Sequence, residues 1–323
     1  MQSPLIAPEL SAMPVEETPE SSTPCDYEFA SDIHSTVDLA ELLGKTAKHA
    51  LVGVPFEAFD LDHQVGVGGI AELWLAHHPA VEKPFVVKVA HRHLADNLHV
   101  HAQFDREWRA TRILDHPGII KHYSRGLSED GRPFLTMEVV VGRSLSHFVR
   151  KDINWSFLRA VLIQLCDVLH HVHERGLLHQ DLKPSNVLVD ISKRRIRLTD
   201  FGLTRFEKAK PGATTASVLG TPAYMAPEQA RGQLGELGAH TDLYTVGVVL
   251  YELLTGSKPF EVESDRVVMI KHCTEAPRPP VIRDCIQAPA EILDVLDRLL
   301  AKSPAARYSS ARQLKKTLKR MPK

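Results

Sequence analysis

The sequence predicts an α+β protein with two lobes, a small β-rich lobe followed by a larger α-helical lobe. Apolar runs of strand length dominate the first part of the chain, at 73–76, 85–90 and 134–141. From Trp155 onward, apolar residues recur every three or four positions, as they do on one face of a helix. The chain has 323 residues, 43% of them hydrophobic, which is enough to bury a core in each lobe.

Each element of the small lobe has its own signal. Phe59 and Leu61 mark the start of a first strand, and a turn at 77–79 joins the next two apolar runs into an antiparallel hairpin. A helix is predicted at 103–114, with apolar positions at Phe104, Trp108, Ile113 and Leu114. A further strand at 134–141 then leads to Gly142.

The larger lobe begins with the helix at Trp155, which ends near Gly176. Later helices are predicted at 239–255 and 291–301, with a basic amphipathic helix at 310–320. The folded domain is therefore expected at 56–320, with the small lobe at 56–138 and the larger lobe at 142–320.

The segment before this domain, residues 1–55, is an acidic extension. It carries nine acidic and two basic side chains, a net charge of −7, whereas the remaining 268 residues carry 37 basic and 31 acidic ones, a net charge of +6. Residues 1–30 are rich in Pro, Ser, Thr and Glu, which predicts disorder, and a short helix is possible between Thr36 and Ala50. The opposite charges leave two interpretations open, a solvated tail or a tail that docks on the body and inhibits it.

Composition argues against several kinds of protein. The four cysteines lack CxxC spacing, so neither a zinc knuckle nor a disulfide framework is indicated. His91, His93, His99 and His101 invite a metal hypothesis, but solvated histidines are the preferred interpretation because no cysteine or carboxylate cluster accompanies them. Low aromatic content (6%) and a diffuse basic excess give nucleic-acid binding little support. No apolar run spans a bilayer and no signal peptide is present, so we expect a cytoplasmic protein without a membrane span.

The most informative stretch is HQDLKPSN at 179–186, followed by Asp200-Phe201-Gly202. Asp181, Lys183 and Asn186 supply a carboxylate, an ammonium and an amide, and Asp200 supplies a second carboxylate. Phosphoryl transfer from ATP needs this set: a base that orients the attacking hydroxyl, a cation on the transferred group, and oxygen ligands for magnesium.

Further motifs appear in a fixed order around this stretch. Val65-Gly66-Val67-Gly68-Gly69-Ile70-Ala71 and Val86-Val87-Lys88-Val89 precede it, and Ala226-Pro227-Glu228 follows. From about residue 59 to 308 the chain resembles the Ser/Thr protein kinases of the Hanks type, and GTPAYMAPEQA at 220–230 looks most like bacterial members. The resemblance implies the protein kinase-like fold, with the site in the cleft between the lobes.

The resemblance also implies roles for individual residues. The catalytic set is Asp181 as base, Lys183, Lys88, Glu107 as the partner of Lys88, and Thr221, which positions a protein substrate. ATP would be bound by the glycine-rich segment Val65, Gly66, Val67, Gly68 and Gly69, by Lys88, and by Met137, Glu138 and Val140 behind and beside the adenine. Asn186 and Asp200 would hold Mg²⁺. An ion pair between Glu228 and Arg307, and a catalytic loop anchored by Asp242, are expected as structural features.

The glycine-rich segment also fits the looser GxGxxG/A fingerprint of dinucleotide-binding proteins. That interpretation requires a buried strand before the glycines and a helix after them. Polar residues at Asp60, Asp62, His63 and Gln64 interrupt the preceding segment, and a strand follows. A kinase hairpin, whose glycines let backbone N–H groups approach phosphate, is the better interpretation.

Three positions depart from the family pattern. Gln180 stands where the common arginine would bind a phosphorylated activation-loop residue, so the chain resembles the non-RD kinases, and regulation by phosphorylation of Thr214, Thr215 or Ser217 is in doubt. Autophosphorylation at these residues remains possible. Ala71 replaces the third glycine and stiffens the loop, and Ser303 replaces the usual aspartate before Pro304.

The sequence therefore predicts an ATP- and magnesium-dependent protein Ser/Thr kinase. One alternative is a pseudokinase, an ATP-binding regulatory module that uses the fold without chemistry. Lys88, Asp181, Asn186 and Asp200 are all present, which disfavours this alternative. A small-molecule kinase is the other alternative, and the APE-type segment with its Thr221 disfavours it.

Overall fold

The computed structural model describes residues 50–206 and 220–322. The disorder predicted for residues 1–30 and nearly all of the helix predicted at 36–50 lie outside these described residues, as do Thr214, Thr215 and Ser217. Leu51, on the extension side of the boundary predicted at residue 55, is fully buried and packs with Phe59, Phe85 and Phe134.

The small lobe is built on a five-stranded antiparallel sheet with strand order β1-β2-β3-β5-β4. One helix, α1, follows β3. In chain order these elements are β1 Asp60–Val67, β2 Ala71–His78, β3 Val81–Ala90, α1 Leu98–Ile113, β4 His122–Leu127 and β5 Pro133–Glu138.

Alternation along β3 decides which side chains face the site. Phe85, Val87 and Val89 are buried on one face of the sheet, against the segment that enters the fold at Leu51. Val86 and Ala90 belong to a second apolar cluster on the other face, with residues of α1. Lys88 lies between Val86 and Ala90 in the sequence. Because side chains alternate along a strand, Lys88 shares the face of the sheet that α1 covers.

Helix α1 begins at Leu98, five residues before the predicted start at residue 103. The side-chain oxygen of Asn97 accepts hydrogen bonds from the backbone N–H groups of His99 (3.0 Å) and Val100 (3.3 Å), so Asn97 caps the helix. Leu98 is 82% exposed, so this turn lacks the apolar pattern on which the prediction relied. The strand predicted at 134–141 is also shorter, since β5 ends at Glu138.

The larger lobe is mainly helical, with three short strand pairings near its junction with the sheet. Its elements in chain order are β6 Arg143–Ser144, α2 Trp155–Glu174, β7 Leu177–Leu178, β8 Val187–Asp190, β9 Arg195–Leu198, β10 Arg205–Phe206, α3 Pro227–Ala230, α4 Ala239–Thr255, α5 Asp265–Thr274, α6 Glu291–Leu299 and α7 Ala311–Arg320.

Helix α4 forms the centre of this lobe, and its residues from Thr241 to Leu254 are all buried. The apolar face of α2 packs in the same cluster, as the three- and four-residue spacing predicts. The predicted bounds of α4 are confirmed, whereas α6 ends two residues earlier than predicted and α7 starts one residue later. The α+β prediction with a β-rich first lobe and a helical second lobe is confirmed.

In residues 50–206 and 220–322, no helix combines the length and the apolar character that crossing a membrane requires.

Candidate active site

Lys88 lies at the centre of a carboxylate pair contributed by the two lobes. Its Nζ atom donates to Glu107 Oε2 of α1 at 2.8 Å and also contacts Asp200 Oδ1, in the segment after β9. Lys88 and Glu107 are buried, whereas the Asp200 carboxyl is 41% exposed. The partner predicted for Lys88 is confirmed as Glu107, and the contact with Asp200 is an addition.

The charges of this cluster stabilise one another. Burial alone would lower the pKa of the Lys88 ammonium, but Asp200 and Glu107 raise it above its ordinary value. Burial likewise opposes ionisation of Glu107, yet Lys88 and then His122 hold the pKa of its carboxyl below the usual range. The lysine is therefore held as a cation between the two carboxylates.

Asp181, Lys183 and Thr221 form a closed hydrogen-bonded triangle. Asp181 Oδ1 accepts from the backbone N–H (2.9 Å) and the hydroxyl (2.7 Å) of Thr221, and Asp181 Oδ2 accepts from Lys183 Nζ at 3.0 Å. Lys183 Nζ donates to the Thr221 hydroxyl oxygen at 2.9 Å. The three residues lie in two segments 38 residues apart, and the fold brings them together as predicted.

Asn186 and Asp200 carry the oxygen atoms that the resemblance assigns to magnesium. Asn186 Nδ2 donates to the carbonyl of Asp181 at 2.9 Å, which fixes the amide and leaves its oxygen as an acceptor. Carboxylate and amide oxygens suit a hard divalent cation, so the two residues fit the ion. No group of three or more His, Cys, Asp or Glu residues in the described part of the chain is arranged to hold a metal.

The buried carboxylate of Asp242 in α4 anchors the segment 179–186, the predicted catalytic loop. Its oxygens accept from the backbone N–H groups of His179 (3.0 Å) and Gln180 (2.9 Å), and from His173 Nε2 at 2.8 Å. Burial opposes ionisation, but the hydrogen bond from His173 holds the pKa of Asp242 below its usual range. The predicted anchoring role of Asp242 is confirmed.

Gln180 adopts a left-handed conformation, with φ of 65°, which is rare outside glycine. Its backbone is held on both sides, because its N–H donates to Asp242 and its carbonyl accepts from Gln229 Nε2 at 3.0 Å. Asp200 is also left-handed, with φ of 63°. Both unusual conformations occur at residues of the candidate site.

The residues assigned to the adenine lie at or beside an apolar cluster at the end of β5. Met137 is buried at the end of β5, and the partly buried Val86, Val140 and Leu188 pack in the same cluster. Glu138 ends β5, and its carboxylate accepts from the backbone N–H of Lys121 (2.8 Å) and pairs with Arg197 Nη2 at 3.1 Å. The side chain of Glu138 is thereby occupied, and its backbone N–H donates to the carbonyl of Lys121 at 2.9 Å.

The glycine-rich segment forms the turn between β1 and β2. Val65, Gly66 and Val67 end β1, and Val65 and Val67 are exposed. The backbone N–H of Gly68 donates to the carbonyl of Ala71 at 2.8 Å, which closes the hairpin. A strand follows these glycines, so the structure contradicts the dinucleotide-binding interpretation.

The four histidines near this hairpin differ in exposure. His93 and His99 are exposed, as preferred from the sequence. The same expectation is wrong for His91 and His101, which are partly buried and hydrogen-bond to backbone carbonyls of Gly68 and Ala95.

The predicted ion pair between Glu228 and Arg307 is confirmed as a buried, two-bond contact. Arg307 Nη1 donates to Glu228 Oε1 at 2.8 Å and Nη2 donates to Oε2 at 3.0 Å. Both side chains are almost fully inaccessible to solvent. The pair ties the segment after the activation loop to the end of the larger lobe.

The comparison with known families agrees with this geometry. The model of the protein kinase domain matches residues 59–318. The chain belongs to the protein kinase family. Members of this family use ATP, generally with a divalent metal, and the kinase domain described here has the two-lobed fold expected of them.

Individual relatives are bacterial. The kinase domain is similar to the serine/threonine-protein kinase pkn3 of Myxococcus xanthus, with 34% identity over 301 residues that cover 89% of this chain and 53% of the relative. It is also similar to the serine/threonine-protein kinase PknB of Mycolicibacterium smegmatis, with 34% identity over 272 residues, 82% of this chain and 43% of the relative. The chain thus spans about half the length of these curated relatives, or less.

Three residues of the site were not predicted from the sequence. His122 on β4 lies 3.2 Å from Glu107 Oε1, His173 bonds Asp242, and Arg197 pairs with Glu138. Alternation in β4 could have placed His122 on the inner face. His173 and Arg197 carry no local signal, because their partners lie 69 and 59 residues away.

Proposed function

We propose that this protein transfers the γ-phosphoryl group of ATP to Ser or Thr hydroxyls of protein substrates, with Mg²⁺ and with Asp181 as base. The triangle of Asp181, Lys183 and Thr221 is the observation that carries the proposal. In this triangle a carboxylate, a cation and a hydroxyl lie within hydrogen-bond distance of one another, which supports the proposed transfer.

Each residue has a distinct role in this proposal. Asp181 orients the acceptor hydroxyl and accepts its proton, and Lys183 neutralises charge on the transferred group. Lys88, held by Glu107, contacts the α- and β-phosphates. Asn186 and Asp200 would hold the metal ion, which neutralises phosphate charge when it is bound. Met137, Glu138 and Val140 would contact the adenine.

The decisive experiment is transfer of labelled phosphate from Mg–ATP to the protein itself and to a generic basic protein. Replacing Asp181 by Asn should lower transfer about 10²–10⁴-fold, the usual contribution of a positioned proton acceptor. Asp62→Asn, a change at an exposed carboxyl of β1, is the matched control and should leave the rate unchanged.

Two outcomes would overturn the proposal. If the wild-type protein binds ATP without any transfer, the pseudokinase alternative is correct. If it phosphorylates small molecules but no protein, the small-molecule kinase alternative is correct.

Substitution of Mg²⁺ by Ca²⁺ in the same assay tests the choice of metal, and cell fractionation tests the cytoplasmic location.

We also infer that the protein is regulated as a non-RD kinase. Gln180 has a neutral side chain, which cannot pair with a phosphorylated residue by charge. Its backbone is already fixed by Asp242 and Gln229, so the catalytic loop has its shape without a phosphate. Phosphorylation at Thr214, Thr215 or Ser217 would then accompany activity without controlling it.

A further inference from the structure

The ring of His91 bridges the tip of the glycine-rich turn and strand β2. Its Nε2 atom lies 2.8 Å from the carbonyl oxygen of Gly68, and its Nδ1 atom lies 3.2 Å from Glu72 Oε1. The side chains of His91 and Glu72 are only 16% and 28% exposed, so both contacts are partly shielded from water. We call this arrangement of His91, Gly68 and Glu72 the histidine latch.

The partners of the ring are rigidly placed. Trp74 Nε1 donates to the other carboxylate oxygen of Glu72 at 2.9 Å, which orients the carboxylate towards His91. The backbone N–H of His91 donates to the carbonyl of Ile70 at 3.1 Å, so the backbone of His91 is also bonded to the glycine-rich turn. The ring of His93 stacks on that of His91 with a centroid distance of 5.5 Å and an angle of 14° between planes.

Both atoms that the ring faces are acceptors only, a backbone carbonyl and a carboxylate. A neutral ring with its proton on Nε2 donates to the carbonyl of Gly68. The ionisable side chains in contact with the ring are Glu72 and His93.

The carbonyl of Gly68 and the N–H of Gly69 belong to one planar trans peptide. Fixing the carbonyl therefore fixes the direction of the Gly69 N–H, one of the backbone donors that a kinase hairpin would present to the ATP phosphates. Glycine has no side chain to restrain this peptide, and a Cβ atom at Gly69 would meet nothing within 4 Å. The latch supplies a restraint that the local sequence lacks.

We propose that His91 is a positioning residue for ATP, which orients the Gly68–Gly69 peptide through its contact with the carbonyl oxygen of Gly68. The proposal rests on the proposed function for the identity of the ligand. ATP affinity should consequently fall when this contact is removed and the rest of the hairpin is kept.

The test is equilibrium binding of a non-hydrolysable ATP analogue with Mg²⁺, measured by calorimetry under one set of conditions. His91→Phe keeps an aromatic ring against His93 but removes the ring nitrogens. His93→Phe is the matched control, because His93 is exposed and its side chain makes no hydrogen bond in the described part of the chain. The ratio of the variant Kd to the wild-type Kd is compared.

We expect His91→Phe to raise the Kd about fivefold, the effect of one net hydrogen bond. His93→Phe should leave the Kd unchanged. His91→Gln, whose amide N–H can donate to the carbonyl of Gly68, should recover part of the lost affinity, which a merely structural role of the ring would not predict.

An unchanged Kd in His91→Phe would overturn the proposal, as would an equal loss of affinity in His93→Phe. Failure of the proposed function gives a different pattern. If the wild-type protein transfers no phosphate but its Kd depends on His91 as expected, the latch stands and the kinase assignment falls. If it transfers phosphate and the Kd ignores His91, only the latch falls.

Discussion

Replacing Arg307 by Leu tests how far the buried pair with Glu228 stabilises the larger lobe. The guanidinium makes two bonds to the carboxylate and three more to the backbone carbonyls of His240, Ala301 and Lys302. In the variant, Glu228 would keep the hydroxyl of Thr241 at 2.9 Å, its own backbone N–H and the ring of His240, whose Nε2 lies 3.9 Å from Oε1. A buried carboxylate would then lack the guanidinium that pairs with both of its oxygens.

Removing one partner of such a pair costs about 3–5 kcal/mol of unfolding free energy, and we expect a loss in this range. The matched control is Arg109→Leu, which breaks an exposed pair with Asp105 and should cost about 0–1 kcal/mol. The double variant Glu228→Leu/Arg307→Leu removes both charges and should recover much of the loss.

The loss should also depend on pH. Burial opposes ionisation of Glu228, yet Arg307 holds the pKa of its carboxyl below the ordinary value of 4.5. In the wild-type protein this contribution is therefore fully present above about pH 4.5 and is lost as the pH falls through the folded-state pKa. Without Arg307, burial would raise the pKa of Glu228, so protonation relieves the folded variant, and its deficit should be smaller at about pH 5 than at about pH 7.

Urea unfolding followed by circular dichroism measures these free energies at both pH values. The reasoning would be refuted if Arg307→Leu cost no more than Arg109→Leu. It would also be refuted if the deficit were the same at both pH values, since the buried carboxylate would then not be its source.

Two further predictions concern regulation and packing. Replacing Thr214, Thr215 and Ser217 together by Ala should leave the rate of phosphate transfer to a protein substrate within about twofold of wild type. The reason is that Gln180 offers no charge to a phosphate. A loss of tenfold or more would show that phosphorylation of these residues controls activity. Gly142→Ala should lower the unfolding free energy by about 1–3 kcal/mol by overpacking, since its Cβ would lie 2.1 Å from the carbonyl oxygen of Val189. Gly235→Ala is the control, because nothing lies within 4 Å of its Cβ, and equal melting temperatures for the two variants would contradict the steric argument.

The lobes and the main site could be predicted from the sequence because their signals are local. The Asp181, Lys183 and Asn186 stretch is one short motif, and Lys88 lies in an apolar strand where an ammonium needs a partner. The start of α1 was missed, although Asn97 is a recognisable cap, because the prediction followed apolar spacing alone and Leu98 is exposed.

Other features depend on contacts that no local pattern encodes. The histidine latch joins His91 to residues 23 and 19 positions earlier, and the sequence only offered a choice between a metal and solvent for this ring. His122 reaches Glu107 across the β4–α1 packing, which requires the relative placement of both elements. Such contacts become visible only when the tertiary structure fixes the distance between the groups.

The carboxylate of Asp242 has a consequence for how this protein loses activity. A left-handed conformation at a residue such as Gln180 costs about 1–3 kcal/mol, and the bonds to Asp242 offset this cost from inside α4. The conformation of the catalytic loop thus depends on a buried contact inside the larger lobe, whereas Lys88 and the glycine-rich turn belong to the sheet of the small lobe. Under the proposed function, partial opening of α4 on heating would therefore stop phosphoryl transfer while the nucleotide contacts proposed for the small lobe persist.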